Sequence, residues 1–202
     1  MSEGLVVVID DHEAVRDSIR VLLESAGLAV KDYASAVAYL ADPEAGGDCL
    51  LVDLRMPEMS GLELQAELLR RRSPIPIILV TGHGDVARAV AAMKAGAFDF
   101  IEKPFDDDSL LLSIRRALSE RRQNRDSAAE NKAASELLSI LTGREREVMD
   151  QLVLGKSNKL IAHALGISPR TVEIHRARLQ EKLKARDLSD LVRLARAAGA
   201  LH

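Results

Sequence analysis

VVVIDDHE, residues 6–13, runs four apolar residues straight into two adjacent aspartates. A short continuous apolar run marks a strand buried on both faces, as in a parallel sheet. LVVVI at 5–9 has counterparts in CLLV at 49–52, IPIILV at 75–80 and FDFI at 98–101, and a weaker strand, LAVKDYA near 28–34, makes five. Between them lie amphipathic helical patterns such as HEAVRDSIRVLLESAG, SGLELQAELLRRR and GDVARAVAAMKAGA. Strands that alternate with helices predict βαβ units and a mostly parallel, doubly covered sheet.

That alternation stops near residue 122. The chain has 202 residues, more than one typical domain of about 100–150 residues. Residues 121–136, RRQNRDSAAENKAASE, are polar, rich in helix formers and free of Gly and Pro, which predicts a helical linker. From 137 onward, Gly-punctuated amphipathic segments predict a compact all-α domain. The expected division is therefore 1–122, a linker over 123–136, and 137–202. Charge follows the same division: residues 1–122 carry −7 and residues 140–202 carry +5, within a total of −3. An acidic module joined to a basic one suggests that the second meets a polyanion, most often nucleic acid. No run approaches the roughly 18 apolar residues of a membrane helix, and the N-terminus MSEGLVVVIDD has no basic start with a cleavage site. A cytoplasmic protein without membrane contact is expected. The single cysteine, Cys49, sits in an apolar run, so no disulfide framework is available and it reads as a small core residue.

In an open α/β sheet the functional crevice lies beyond the carboxyl ends of the strands. Four strand ends here carry polar groups: Asp10 and Asp11, Asp53, Thr81, and Lys103. Three carboxylates in one crevice repel one another unless a cation sits among them. Oxygen-only ligands suit a hard ion that keeps some of its water, which points to Mg²⁺. A carboxylate can act as nucleophile toward phosphorus once charge on the phosphoryl oxygens is neutralised. Asp53, which ends a central run and is followed by the loop LRMPEMSG, is the best candidate. Lys103 and the Thr81 hydroxyl would meet phosphoryl oxygens. A single Asp at a strand end is ordinarily a cap or a solvated turn; the joint pattern is what carries the reading.

VIDDHEAVRDS, LLVDLRMPEMSGLEL, ILVTGHGD and FDFIEKPF resemble, in order and spacing over roughly residues 4–120, the receiver domain of two-component response regulators. The resemblance implies a flavodoxin-like (βα)5 fold and an Asp53 that accepts a phosphoryl group from a sensor histidine kinase. It implies Mg²⁺ held by Asp11 and Asp53 directly, by Asp10 through water and by the main-chain carbonyl of Arg55. Thr81 and Lys103 would bind the phosphoryl group, Phe100 would be the aromatic switch, and Lys103-Pro104 falls where receivers have a cis peptide.

In KSNKLIAHALGISPRTVEIHRARLQEKLK, Ser157 reads as an N-cap, and Leu160, Ile161, Ala164 and Leu165 as an apolar stripe closed by Gly166. A second helix starts at once, with Ser168 as N-cap and Pro169 at its first position. Two helices joined by a three-residue turn containing Gly form a helix-turn-helix. At about 100° per residue, Val172, Leu179 and Leu183 face the core. Arg170, Glu173, Ile174, Ala177, Arg178 and Glu181 face outward, a compact surface suited to a major groove. A plain αα-hairpin with a solvated face remains the bland alternative.

LTGREREVMDQLVLGKSNKLIAHALGISPRTVEIHRARLQEKL resembles the four-helix LuxR-type DNA-binding domain over nearly all of residues 140–199. The resemblance implies that Glu173, Ile174 and Ala177 face base edges, and that Lys159, Arg170, Thr171, His175, Arg178 and Lys182 are phosphate or flanking contacts. Glu173 reads equally as an acceptor for a cytosine amino group or as a local structural partner. The two modules together, with TGHGDV, MKAGA and SPRTVEIHRA, are similar to response regulators of the FixJ type. That implies transcriptional activation, by resemblance of nitrogen-fixation genes, with promoter DNA and RNA polymerase as partners. One helix-turn-helix buries little surface, so operators are usually read by dimers. A homodimer formed on phosphorylation is expected, through the helix at about 84–96 and the strand at 98–101.

Two other classes compete. Aspartyl-phosphate phosphatases of the haloacid-dehalogenase type place a second Asp two positions after the nucleophile, where Arg55 stands; a turnover enzyme is not expected. A phosphorylation-independent DNA-binding or scaffold protein would have no use for the full set Asp10, Asp11, Asp53, Thr81 and Lys103. His12, His83, His163, His175 and His202 lack metal-ligand spacing and read as solvated or capping, with His175 near DNA. Arg70 to Arg72 read as a solvated helix end.

Overall fold

The computed structural model describes residues 4–82 and 86–199. The chain divides into two compact units between Gln123 and Asn124.

In the first unit, β1 (Leu5–Ile9), α1 (Glu13–Ser25), β2 (Ala29–Tyr33), α2 (Ala36–Ala41), β3 (Cys49–Asp53), α3 (Gly61–Arg70), β4 (Ile77–Thr81), α4 (Val86–Lys94) and β5 (Asp99–Glu102) alternate, and α5 (Asp107–Ser139) follows. The five strands form one parallel sheet in the order β2-β1-β3-β4-β5. This is the doubly wound, flavodoxin-like arrangement, and its strand order reverses between β1 and β3, where the crevice opens.

Strand parity assigns the two faces. Val7, Ile9, Leu50, Val52 and Leu79 pack with α2, α3 and α4, and Val6, Val8, Cys49, Leu51, Ile78 and Val80 pack with α1 and α5. Both faces are covered, so β3 and β4 are buried throughout, whereas the edge strand β2, with Lys31 and Asp32, is only half buried. The edge position explains why β2 reads weakly in sequence. Each large side chain buried here contributes roughly 1.5–3 kcal/mol. Helix α2 has only six residues and no clear periodicity; Ser35 caps it by accepting from the Ala38 N–H. Helix α3 opens with a reciprocal capping box between Ser60 and Glu63. Of the helix expected over 84–96, residues 84 and 85 lie outside the described residues, as do His83 and His202. Arg70, Arg71 and Arg72 are exposed, the first two paired with Glu67.

Residues 123–136 are part of α5, which runs without a break for 33 residues. Its early residues Leu110, Ile114, Ala117 and Leu118 are core residues of the first unit, and Leu138, near its end, is in the core of the second. The second unit continues with α6 (Gly143–Val153), α7 (Asn158–Leu165), α8 (Pro169–Leu183) and α9 (Leu188–Ala197). Val148, Met149, Leu152, Ile161, Val172, Leu179, Leu183 and Leu191 are prominent in its core. Among the described residues no helix is long and apolar enough to cross a membrane.

One expectation about α7 is corrected. Its buried residues are Ile161 and Ala162, with Leu165 packed against them, while Leu160 is 59% exposed and Ala164 is also exposed. The inward arc is rotated by about one residue from the expected stripe. Ser157 occupies the N-cap position but makes no side-chain cap bond.

Candidate functional site

The carboxyl ends of β1 and β3 bring Asp10 and Asp53 together although they are distant in sequence. Both are buried, and the Lys103 ammonium bridges them, 2.9 Å from Asp10 Oδ2 and 2.7 Å from Asp53 Oδ1. The remaining oxygens are also held: Asp10 Oδ1 accepts from the His12 N–H at 2.9 Å and Asp53 Oδ2 from the Arg55 N–H at 2.7 Å. Burial pulls the Lys103 pKa down, and the hydrogen bonds to Asp10 and Asp53 more than offset it, leaving the ammonium above its ordinary value. The cation is therefore stable between two acids that would otherwise repel. The Lys103-Pro104 peptide is cis, and the Lys103 N–H donates to the Thr81 carbonyl at 2.6 Å.

Asp11 stands beside this trio. Its Oδ1 is buried and accepts no hydrogen bond. Oxygens of Asp10 and Asp11 and a His12 ring nitrogen lie within 4.8 Å of one another, with His12 Nδ1 3.0 Å from Asp11 Oδ1. His12, placed among the solvated or capping histidines by sequence, is exposed and occupies the N-cap position of α1. A buried carboxylate oxygen that accepts no hydrogen bond, grouped with the Asp10 carboxylate and a His12 ring nitrogen, fits a hard divalent cation.

Thr81 is the last residue of β4 and is buried; β4 pairs with β5 so that Thr81 faces Glu102 and Leu79 faces Phe100. Phe100 is half buried against the core on the α2–α3–α4 face of the sheet. Thus Asp10, Asp53 and Lys103 make direct contact, Asp11 and Thr81 stand at the ends of β1 and β4 on either side of β3, and Phe100 lies on β5 two residues before its end.

In the second unit α7 and α8 are joined by a turn in which Gly166 adopts φ 64°, and Ser168 accepts from the Thr171 N–H at 3.1 Å. Arg170, Glu173, Ile174, Ala177, Arg178 and Glu181 of α8 are exposed, as is Lys159 on α7. Thr171 is half buried with Oγ1 2.8 Å from Ser168 Oγ, and His175 is half buried with Nδ1 inside and without a partner. Lys182 points away from the exposed face: its Nζ lies 2.7 Å from Oε2 of the buried Glu145. That carboxylate also accepts from the Thr142 N–H in a capping box, and these bonds hold its pKa down at about 2.

Residues 6–115 match the response regulator receiver domain, and residues 139–195 match the bacterial regulatory proteins of the luxR family. The transcriptional regulatory protein FixJ of Bradyrhizobium diazoefficiens is 46% identical over 202 residues, spanning all of this chain and 98% of its own. The chain is a FixJ-type response regulator. Among solved structures, response regulator StyR is 42% identical with a TM-score of 0.81, over 95% of this chain and 98% of that one. Full-length FixJ from B. japonicum is 46% identical with a TM-score of 0.63 over the whole of both chains.

Two side chains of this response regulator escape sequence reasoning. Arg16 donates to the main-chain oxygen of Asp10, and Arg176 on α8 reaches Asn158 at the start of α7, at 2.7 Å, where it spans the helix-turn-helix. Neither residue sits in a pattern that announces a partner.

Proposed function

We propose that Asp53 of this response regulator accepts a phosphoryl group from a sensor histidine kinase and that the modified receiver promotes dimerisation and DNA binding. The observation that carries the reading is the Lys103 ammonium shared between Asp10 and Asp53, a cation already placed where phosphoryl oxygens would need one. An Asp53 carboxylate oxygen attacks phosphorus as the P–N bond of a phosphohistidine breaks, and the electron pair leaves on the ring nitrogen of a protonated imidazole, which departs neutral. Asp10, Asp11, Asp53 and the Arg55 carbonyl would hold Mg²⁺, which when bound supplies charge neutralisation for the phosphoryl oxygens. Lys103 holds one phosphoryl oxygen, the Thr81 hydroxyl donates to another, and Phe100 repacks as Thr81 moves.

Helix α4 and strand β5 form the dimer surface in this reading; Val90 and Met93 on α4 are exposed. In α8, Glu173, Ile174 and Ala177 face base edges, and Lys159, Arg170, Thr171, His175 and Arg178 serve the flanking phosphates. Lys182, bound to Glu145, strengthens the scaffold and contributes charge only indirectly. The likeness to proteins named FixJ supports activation of nitrogen-fixation genes through RNA polymerase, in the cytoplasm, without catalytic turnover.

The test is intact mass and sedimentation of wild type and Asp53→Asn after acetyl phosphate with Mg²⁺ or EDTA. One labile phosphoryl group per chain, dependent on Mg²⁺, absent in the variant and accompanied by dimerisation, is the expected result. A wild type that gains none would overturn the reading.

A further inference from the structure

We infer that Arg16 is a positioning residue for the acidic pocket, setting the direction of the Asp10–Asp11 peptide and through it the aim of the Asp11 carboxylate. Arg16 sits in the first turns of α1, six residues beyond Asp10, and its side chain is only 12% exposed. Its NH1 donates to the main-chain oxygen of Asp10 at 2.8 Å while its Nε donates to Asp32 Oδ2 at 3.0 Å. Asp32, on β2, also pairs with Arg20 one turn further along α1. Two arginines thus anchor Asp32, and Arg16 also reaches across to β1 through its own bond to the Asp10 carbonyl.

The consequence falls on Asp11. The Asp10 side chain is pinned independently by Lys103 and the His12 N–H. Asp11 is held less firmly: its buried Oδ1 accepts no hydrogen bond, and the group beside it is the ring of the exposed His12, with Nδ1 3.0 Å away. A peptide is planar, so fixing the carbonyl of Asp10 also fixes the N–H and the starting direction of Asp11. Arg16 supplies a side-chain donor to that carbonyl. A planar guanidinium can hold a carbonyl and a carboxylate in two set directions at once, which an ammonium cannot do in the same geometry. Arg16 also balances the Asp32 charge, so that this carboxylate does not add to the repulsion in the pocket.

This inference rests on the reading of the pocket as a Mg²⁺ site. Its test follows the amide resonances of Asp11 and Arg55 during Mg²⁺ titration of the full chain, alongside urea unfolding in EDTA. The variants are Asp32→Asn, Arg16→Lys and the double variant R16M/D32N, which avoids leaving Asp32 facing an apolar side chain. The double variant is expected to need about 10- to 100-fold more Mg²⁺, the usual cost of losing a group that orients a metal ligand. Arg16→Lys should lie between it and wild type, and Asp32→Asn, which keeps the bond to the Asp10 carbonyl, near wild type. A purely structural role would shift the urea midpoint while the folded protein titrated normally. A folded R16M/D32N with the wild-type Mg²⁺ midpoint overturns the proposal, as does an Asp32→Asn loss equal to that of the double variant. A wild type that shows no Mg²⁺ response overturns the metal reading and this inference together.

Discussion

Lys182 Nζ and Glu145 Oε2 stand 2.7 Å apart, joining α8 to the capping box that starts α6. Glu145 is buried and Lys182 is about a third exposed. Breaking a buried pair costs roughly 3–5 kcal/mol, and solvent access to Lys182 places Lys182→Met at or below the low end of that range. The variant should lower the denaturant midpoint of the second unit and leave the salt slope of DNA binding unchanged. Arg178→Ala, at an exposed position, should do the reverse, reducing the slope by about 1. Anisotropy with operator DNA across a salt series separates the two.

The same carboxylate sets an acid limit. Hydrogen bonds from Lys182 and from the Thr142 N–H hold Glu145 at about 2, against an ordinary 4.5. A depressed carboxylate stabilises the fold fully above its unfolded value and loses that contribution as pH falls toward its folded value. Stability of the second unit should therefore decline between about pH 4.5 and pH 2. Glu145→Gln should be less stable at neutral pH and show a flatter decline. Urea unfolding followed by the Val172 amide reads the second unit alone.

Gly61, the first residue of α3, packs against the main chain of the phosphoacceptor candidate. A Cβ there would lie 2.6 Å from the Asp53 carbonyl oxygen and 2.9 Å from Leu79 Cδ2. Backbone cannot yield as a flexible side chain does, so Gly61→Ala should cost about 1–3 kcal/mol and displace Asp53. Phosphorylation by acetyl phosphate should slow by at least about tenfold, equivalent to ~1.4 kcal/mol in the barrier. Intact-mass time courses and thermal unfolding check both effects.

Leu160 and Ile161 are adjacent, yet one is 59% exposed and the other fully buried. Leu160→Ala should change stability by no more than about 0.5 kcal/mol, whereas Ile161→Ala should cost about 2–5 kcal/mol. Chemical denaturation of the two variants gives the comparison directly.

Much of the receiver was legible because its information is local. A strand buried between two helical layers has to be apolar along its length, and a polar group at its end belongs to the crevice side of the sheet; LVVVI followed by Asp10 and Asp11 states both facts in seven residues. The helix-turn-helix was legible for a similar reason, since Gly166, Ser168 and Pro169 each meet a local backbone requirement. Helix α2 entered only through the (βα)5 resemblance, because six residues are too few to show a period of their own. The face of α7 was misjudged because an eight-residue helix completes barely two turns, and apolar residues at 160, 161, 162, 164 and 165 allow more than one stripe.

Sequence alone determined the alternation of elements, the strand ends that carry charge and the outward face of α8, because backbone preference and hydrophobic period act over a few residues. Only the tertiary structure decided which charges meet: Lys103 with Asp10 and Asp53, Arg16 with the Asp10 carbonyl, and Lys182 with Glu145 in place of solvent. Long charged side chains take their partners from whatever the packing of distant elements brings within reach, and no periodicity records that choice.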